Sequence, residues 1–193
     1  MVAGGVLLGL LTLNPLTGFH IALGAFFYVV IYTVWLKRRS TLNIVIGGFA
    51  GSAAALAGWS SFAGSLNLQG ALVAGIVFLW TPSHFWALAL SIREDYASAD
   101  VPMLPAVVSP RRSAWAILLN SVLLVGFSTI PFFLGAYGLA YLVVALASGA
   151  LLLTSNLRLL KDPAQRNAWR SFKIAGPYLV LVLVGMLLDL ALA

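Results

Sequence analysis

The chain contains no cysteine and only five acidic residues among 193. The first absence rules out disulfides, thiolate metal sites and cysteine nucleophiles. The second, with a charged fraction of only 8%, rules out the solvated surface of a soluble domain. The sequence also lacks a glycine-rich phosphate loop, a serine-centred triad and the intramembrane chain of acids used by proton pumps. What is present is apolar: 62% of residues are hydrophobic and the mean hydropathy is +1.02. A single core cannot bury that much, so the composition specifies an integral membrane protein. The net charge of +6 does not mark a nucleic-acid partner, because the basic residues form no single patch.

Against a bilayer that takes roughly 20 helical residues to cross, seven apolar segments stand out: residues 2–17, 19–36, 42–62, 70–92, 114–134, 139–157 and 172–190. The expected fold class is all-α, a polytopic transmembrane helix bundle forming one domain over 1–193. The first segment is thin. Only the 12 residues Val2–Leu13 run up to Asn14-Pro15, roughly 18 Å of helix. It lacks the basic start and small-residue cleavage site of a signal peptide, which suggests a chain that begins inside a helix with sequence upstream. All eleven lysines and arginines fall in or beside the second, fourth and sixth connections. The positive-inside rule then makes those connections and the N-terminus cytoplasmic.

Glu94, Asp95 and Asp100 lie within seven positions, in the stretch HFWALALSIREDYASADVPMLP. Clustered hard-oxygen donors suit Mg²⁺, which takes one or two carboxylates and completes its octahedron with phosphate oxygens and water. Arg93, with Lys37, Arg38 and Arg39 on the same membrane side, would clamp the remaining phosphate charge. The ordinary reading of such a loop is a solvated connection between spans.

On a continuous helix His84 and Asp95 face the same way, roughly 16 Å apart. An imidazole inside a span is expected to face the bundle interior, most simply hydrogen-bonded to a neighbouring helix. His20, at the membrane edge, is read as structural. Tyr28, Tyr32, Trp35 and Arg39 recur at helical spacing, as an interfacial belt or a cavity wall. Gly47, Gly48, Gly51 and Ser52 make the third segment small-sided, for close packing or, less simply, for a ligand groove.

The segment TPSHFWALALSIREDYASADVPMLPAV resembles the second acidic motif of heme O synthases (protoheme IX farnesyltransferases), members of the UbiA superfamily of intramembrane prenyltransferases. YTVWLKRRSTLNIVIGG is similar to the turn after that family's fourth helix. The resemblance covers the whole chain and matches family helices three to nine. It implies transfer of a farnesyl group from farnesyl diphosphate to a vinyl group of heme b, giving heme O. Mg²⁺ is the implied cofactor, and heme b a substrate rather than a cofactor. Asp95 and Glu94 take the catalytic and metal roles, with Asp100 a further metal ligand or only a turn residue. Lys37, Arg38 and Arg93 become diphosphate contacts, and Tyr32, Asn43 and His84 cavity residues.

The implied partners are the lipid bilayer, farnesyl diphosphate, heme b and heme A synthase, with no nucleic acid. The implied location is a bacterial inner membrane. Two positions depart from the family pattern: Ser83 stands where a second proline is common, and Asp100 where glycine or asparagine is usual. The family's first acidic motif, of the Asn-Asp…Asp type, lies ahead of the first residue here. The chain is therefore expected to carry half of the site and to be inactive by itself. Alternatives are a UbiA-type enzyme acting on another aromatic acceptor, a small transporter, or a non-catalytic remnant.

Overall fold

A computed structural model describes residues 2–192. They form helices α1 (Val2–Leu13), α2 (Pro15–Leu36), α3 (Asn43–Ala63), α4 (Leu68–Ser91), α5 (Arg93–Ser98), α6 (Leu104–Val107), α7 (Pro110–Phe133), α8 (Leu139–Lys161) and α9 (Gln165–Leu192). Six of them (α2, α3, α4, α7, α8 and α9) are long and apolar enough to cross a bilayer. The seven-span expectation therefore becomes six full-length spans plus the short α1. Its 12 residues reach only about 18 Å against a core of about 30 Å.

Helix starts follow from local chemistry. Asn14 caps α2, its Oδ1 accepting the Thr17 N–H at 2.8 Å, with Pro15 in the first turn. Asn67 accepts the Gly70 N–H at 3.0 Å as α4 begins. Ser109 accepts the Arg112 N–H at 3.3 Å ahead of Pro110. Asp189 near the end of α9 caps α8: its carboxylate accepts the Gly138 and Tyr141 N–H groups. A negative charge at a helix N-terminus is favourable.

The chain divides into two compact units, one ending at Thr81 and the other beginning at Pro82, inside α4. In the first, α2 packs on α3 through small residues. A Cβ on Gly24 would lie 3.3 Å from the Ala53 Cβ, and one on Gly51 3.3 Å from a Val77 methyl on α4. The close-packing reading of the small-sided segment holds there. Polar cross-links accompany it: Asn14 Nδ2 donates to the Ser60 carbonyl at 2.8 Å and Ser52 Oγ to the Ala74 carbonyl at 3.0 Å.

The second unit packs α8 against both α7 and α9. Its core holds two polar nodes. Asn156 on α8 donates to Ser121 Oγ on α7 at 2.8 Å and accepts from Ser171 Oγ on α9 at 2.5 Å. Tyr141 donates to the Ser128 carbonyl at 2.6 Å and Tyr178 to the Ser128 hydroxyl at 2.8 Å. All six residues are essentially inaccessible. Outward faces are apolar, with Phe62 97% exposed and Leu11 81%. Such surfaces are solvated by lipid rather than by water.

Candidate functional site

The acidic turn belongs to the second unit. The expectation of one helix carrying both His84 and Asp95 fails, because α4 stops at Ser91. Ile92 leaves helical geometry (φ −124°, ψ 42°), and α5 starts afresh at Arg93. The same-face, three-turn relation between His84 and Asp95 is lost with it. Glu94 and Asp95 now occupy the first turn of α5, where acidic side chains are electrostatically favoured. Both are exposed, and neither they nor Asp100 forms an ion pair among the described residues.

Asp100 is placed differently. It adopts a left-handed backbone (φ 52°), the only non-glycine among the described residues to do so. This explains why glycine or asparagine suits the position, and it supports the turn reading. Among the described residues no three His, Asp or Glu side chains come together as a metal site. The proposed trio of Glu94, Asp95 and Asp100 is therefore not a preformed ligand set. What remains is the exposed pair Glu94–Asp95, two adjacent carboxylates of the kind that a phosphate-bound Mg²⁺ accepts from proteins.

The rest of the turn closes on itself. Val101 N–H donates to the Tyr96 carbonyl at 3.1 Å and Ser98 Oγ to the Asp95 carbonyl at 3.0 Å. Burial raises the Tyr96 phenol above its ordinary value, keeping it neutral. Val101 and Met103 are buried and anchor the turn's far end. Beside its near end a cavity of about 390 Å³ is lined by Ser91, Ile92, Gln165, Arg166 and Trp169. The aromatic row continues inward: Trp169 stacks on Phe172, and Phe172 lies 4.5 Å from the His84 ring, centroid to centroid. His84 thus faces the bundle interior as expected, against aromatic rings.

The basic turn after α2 belongs to the first unit. Residues 27–36 wind with i→i+5 hydrogen bonds, ending with the Lys37 N–H on the Tyr32 carbonyl at 2.7 Å. The wider winding alters the helical register assumed for Tyr28, Tyr32, Trp35 and Arg39, although Tyr28 and Tyr32 still stack at 6.0 Å. Tyr32 packs over Gly47, where a Cβ would come within 2.6 Å of its ring. Asn43 was expected in a cavity wall. It is fully buried, and its Nδ2 donates to the Lys37 carbonyl at 3.2 Å. Its role is to hold the turn that carries Lys37 and Arg38. Its Oδ1 is buried without a hydrogen-bond partner among the described residues.

His20 has the structural setting that the sequence reading gave it. It is 3% exposed, shares a hydrogen bond of 3.2 Å with Ser60 Oγ and lines a cavity of about 580 Å³ with Gly24, Tyr28, Gly51 and Ala54. Its structural reading stands on the Ser60 bond. The small-sided segment therefore borders open space as well as close contacts, a division that no residue count reveals.

Apolar spans and short connections define a polytopic membrane protein, with one exposed acid pair just beyond the end of an aromatic-lined helix. The chain matches the UbiA prenyltransferase family over residues 1–186, and it belongs to that family. It is 51% identical over 179 residues to protoheme IX farnesyltransferase 1 of Cenarchaeum symbiosum, covering 93% of this chain and 60% of the relative. It is 48% identical over 185 residues to the protoheme IX farnesyltransferase of Sulfurisphaera tokodaii, with 95% and 60% covered. With protoheme IX farnesyltransferase 1 of Paramagnetospirillum magneticum it shares 46% over 189 residues, with 98% and 67% covered. The chain thus spans about 60% of the length of the first two relatives. A solved chain of digeranylgeranylglyceryl phosphate synthase superposes with a TM-score of 0.78 at 21% identity, covering 97% of this chain and 66% of the other, which establishes the shared fold.

Proposed function

We propose that this chain carries one half of a site that transfers the farnesyl group of farnesyl diphosphate to a vinyl group of heme b, giving heme O, the other half being the first acidic motif that the resemblance implies. The observation that carries the reading is the close identity to three protoheme IX farnesyltransferases across a region that includes the acidic turn. The exposed, unpaired carboxylates of Glu94 and Asp95 fit Mg²⁺ bound to a diphosphate. That ion supplies charge neutralisation of the leaving group.

The chain's own residues do the rest. Glu94 and Asp95 would hold the Mg²⁺ that binds the diphosphate end at the membrane face, and Arg93 adds a fixed positive charge beside them. The allylic C1–O bond breaks with its electron pair leaving on the diphosphate. The terminal vinyl carbon of heme b forms the new bond to C1, and water adds to the adjacent carbon, losing a proton to give the hydroxyl. The Trp169, Phe172 and His84 row provides a flat aromatic wall that excludes bulk water from a reactive cation. Lys37 and Arg38 are assigned to the diphosphate by the resemblance and the charge pattern. By the same pattern the acidic turn is cytoplasmic, in the cell membrane of a prokaryote. Coupling to heme A synthase follows from the product, which that enzyme consumes.

The test is pigment extraction from membranes containing this chain joined to a segment that carries the first acidic motif, supplied with farnesyl diphosphate and heme b. Asp95→Asn is expected to lower heme O yield by about 100-fold, the scale of losing one electrostatic contact to a developing charge. An unchanged yield would sink the assignment. Farnesylation of a quinone precursor in place of heme would retain the site and overturn the acceptor.

A further inference from the structure

The second unit contains a cluster of cations that the proposed reaction does not use. Between the end of α8 and the start of α9, a cavity of about 350 Å³ is lined by Ser155, Arg158, Asn167, Arg170, Lys173 and Ile174. Three positive side chains converge there, and none has an ion-pair partner among the described residues. The one nearby acid, Asp162, is occupied: Asn167 Nδ2 donates to its Oδ2 at 2.9 Å and to its carbonyl at 2.8 Å.

The general excess of lysine and arginine on one membrane side accounts for cations in this turn. It does not account for a cavity, nor for Ser155. That residue is 7% exposed, lines the cavity, and its hydroxyl makes no hydrogen bond among the described residues. Ser113, Ser128 and Ser148, in comparable helical positions, each donate to the carbonyl four residues earlier. A hydroxyl on a largely buried residue that lines the cavity and has no hydrogen-bond partner among the described residues offers a donor to an oxyanion drawn in by the three cations. The flanking Trp169, with Lys173 Nζ 5.4 Å from its ring, is half-exposed in the manner of an interfacial anchor.

We propose that this cavity binds the phosphate of an anionic membrane lipid, with Arg158, Arg170 and Lys173 supplying charge and Ser155 a directed hydrogen bond. The lipid source, rather than free phosphate, follows from position. The cavity lies at the ends of two spans whose neighbouring surfaces are apolar, so acyl chains continue naturally from a headgroup seated in it. The inference stands apart from the farnesyl-transfer reading and survives its failure.

The experiment is native mass spectrometry of the detergent-solubilised chain titrated with phosphatidylglycerol, phosphatidylcholine or inorganic phosphate. One phosphatidylglycerol is expected to bind saturably. Arg158→Gln with Arg170→Gln should weaken it by about 30-fold, at about 1 kcal/mol per cation near the surface. Ser155→Ala, too small a change to prevent folding, should weaken it by about three- to tenfold. Arg111→Gln with Arg112→Gln removes equal charge elsewhere and should leave binding unchanged. Equal loss in both double variants would reduce the effect to diffuse charge and overturn the site. Full displacement by inorganic phosphate, with phosphatidylglycerol binding no tighter than phosphate itself, would overturn the lipid source.

Discussion

Two charged connections of the second unit, the acidic turn at Arg93–Ser98 and the basic turn from Arg158 to Lys173, are built from opposite signs and held in opposite ways. In each the charge suits the nearest helix end. Glu94 and Asp95 sit in a first turn, and Arg158 and Lys161 in a last turn. Their anchoring differs. The basic turn stands directly on a buried hydrogen-bond node, since Asn156 is two residues before Arg158 and Ser171 follows Arg170. The acidic turn is tied by bonds within itself and by the buried Val101 and Met103. A fixed cation cavity suits a resident ligand. An exposed acid pair on a locally closed turn suits a substrate that must arrive and leave.

The sharpest break in this comparison is functional separation. Glu94→Gln combined with Asp95→Asn should cost at least about 100-fold in heme O yield while leaving phosphatidylglycerol binding intact. Loss of both properties together would show that the two turns form one site.

Next comes anchoring. Asn156→Leu removes both hydrogen bonds of the node and leaves two buried serine hydroxyls unpaired. It should destabilise the chain by about 1–2 kcal/mol, read by thermal unfolding in detergent, with weaker lipid binding alongside. Hydrogen exchange separates the turns without mutation. Backbone amides of Arg93–Ser98 should exchange faster than those of residues 167–171, whose helix is tied to the core.

The smallest effect is alkaline. The Tyr96 phenol is held neutral by burial, so its folded value lies above the unfolded one. The stability it contributes is full below the unfolded value of about 10 and is lost as pH rises through the folded value. Tyr96→Phe should flatten the loss of helicity above that pH. An unchanged alkaline transition would show that the phenol is not buried against the turn.

Much of this was legible in the residues. Apolar runs and alternating basic connections give the spans, because a bilayer demands length and tolerates little charge. The acid pair at Glu94 and Asp95 was visible as an oddity of composition. The break at Ile92 was not, since nothing in LSIRED differs in kind from a continuing helix. Asn43 was placed in a cavity wall by the resemblance alone; its hydrogen bond to the Lys37 carbonyl depends on packing that the residues by themselves do not show. His20 looked peripheral because its partner, Ser60, is forty residues away.

By itself the sequence determined the solvent and six of the apolar segments long enough to cross it, since transfer free energies act on residues one at a time. Only the tertiary structure decided which polar groups find partners. Asn156 satisfies Ser121 and Ser171, Asp189 caps a helix 51 residues earlier, and Ser155 is left open beside three cations. Hydrogen bonds depend on distances of a few tenths of an ångström between residues far apart in the chain, and packing alone sets those distances.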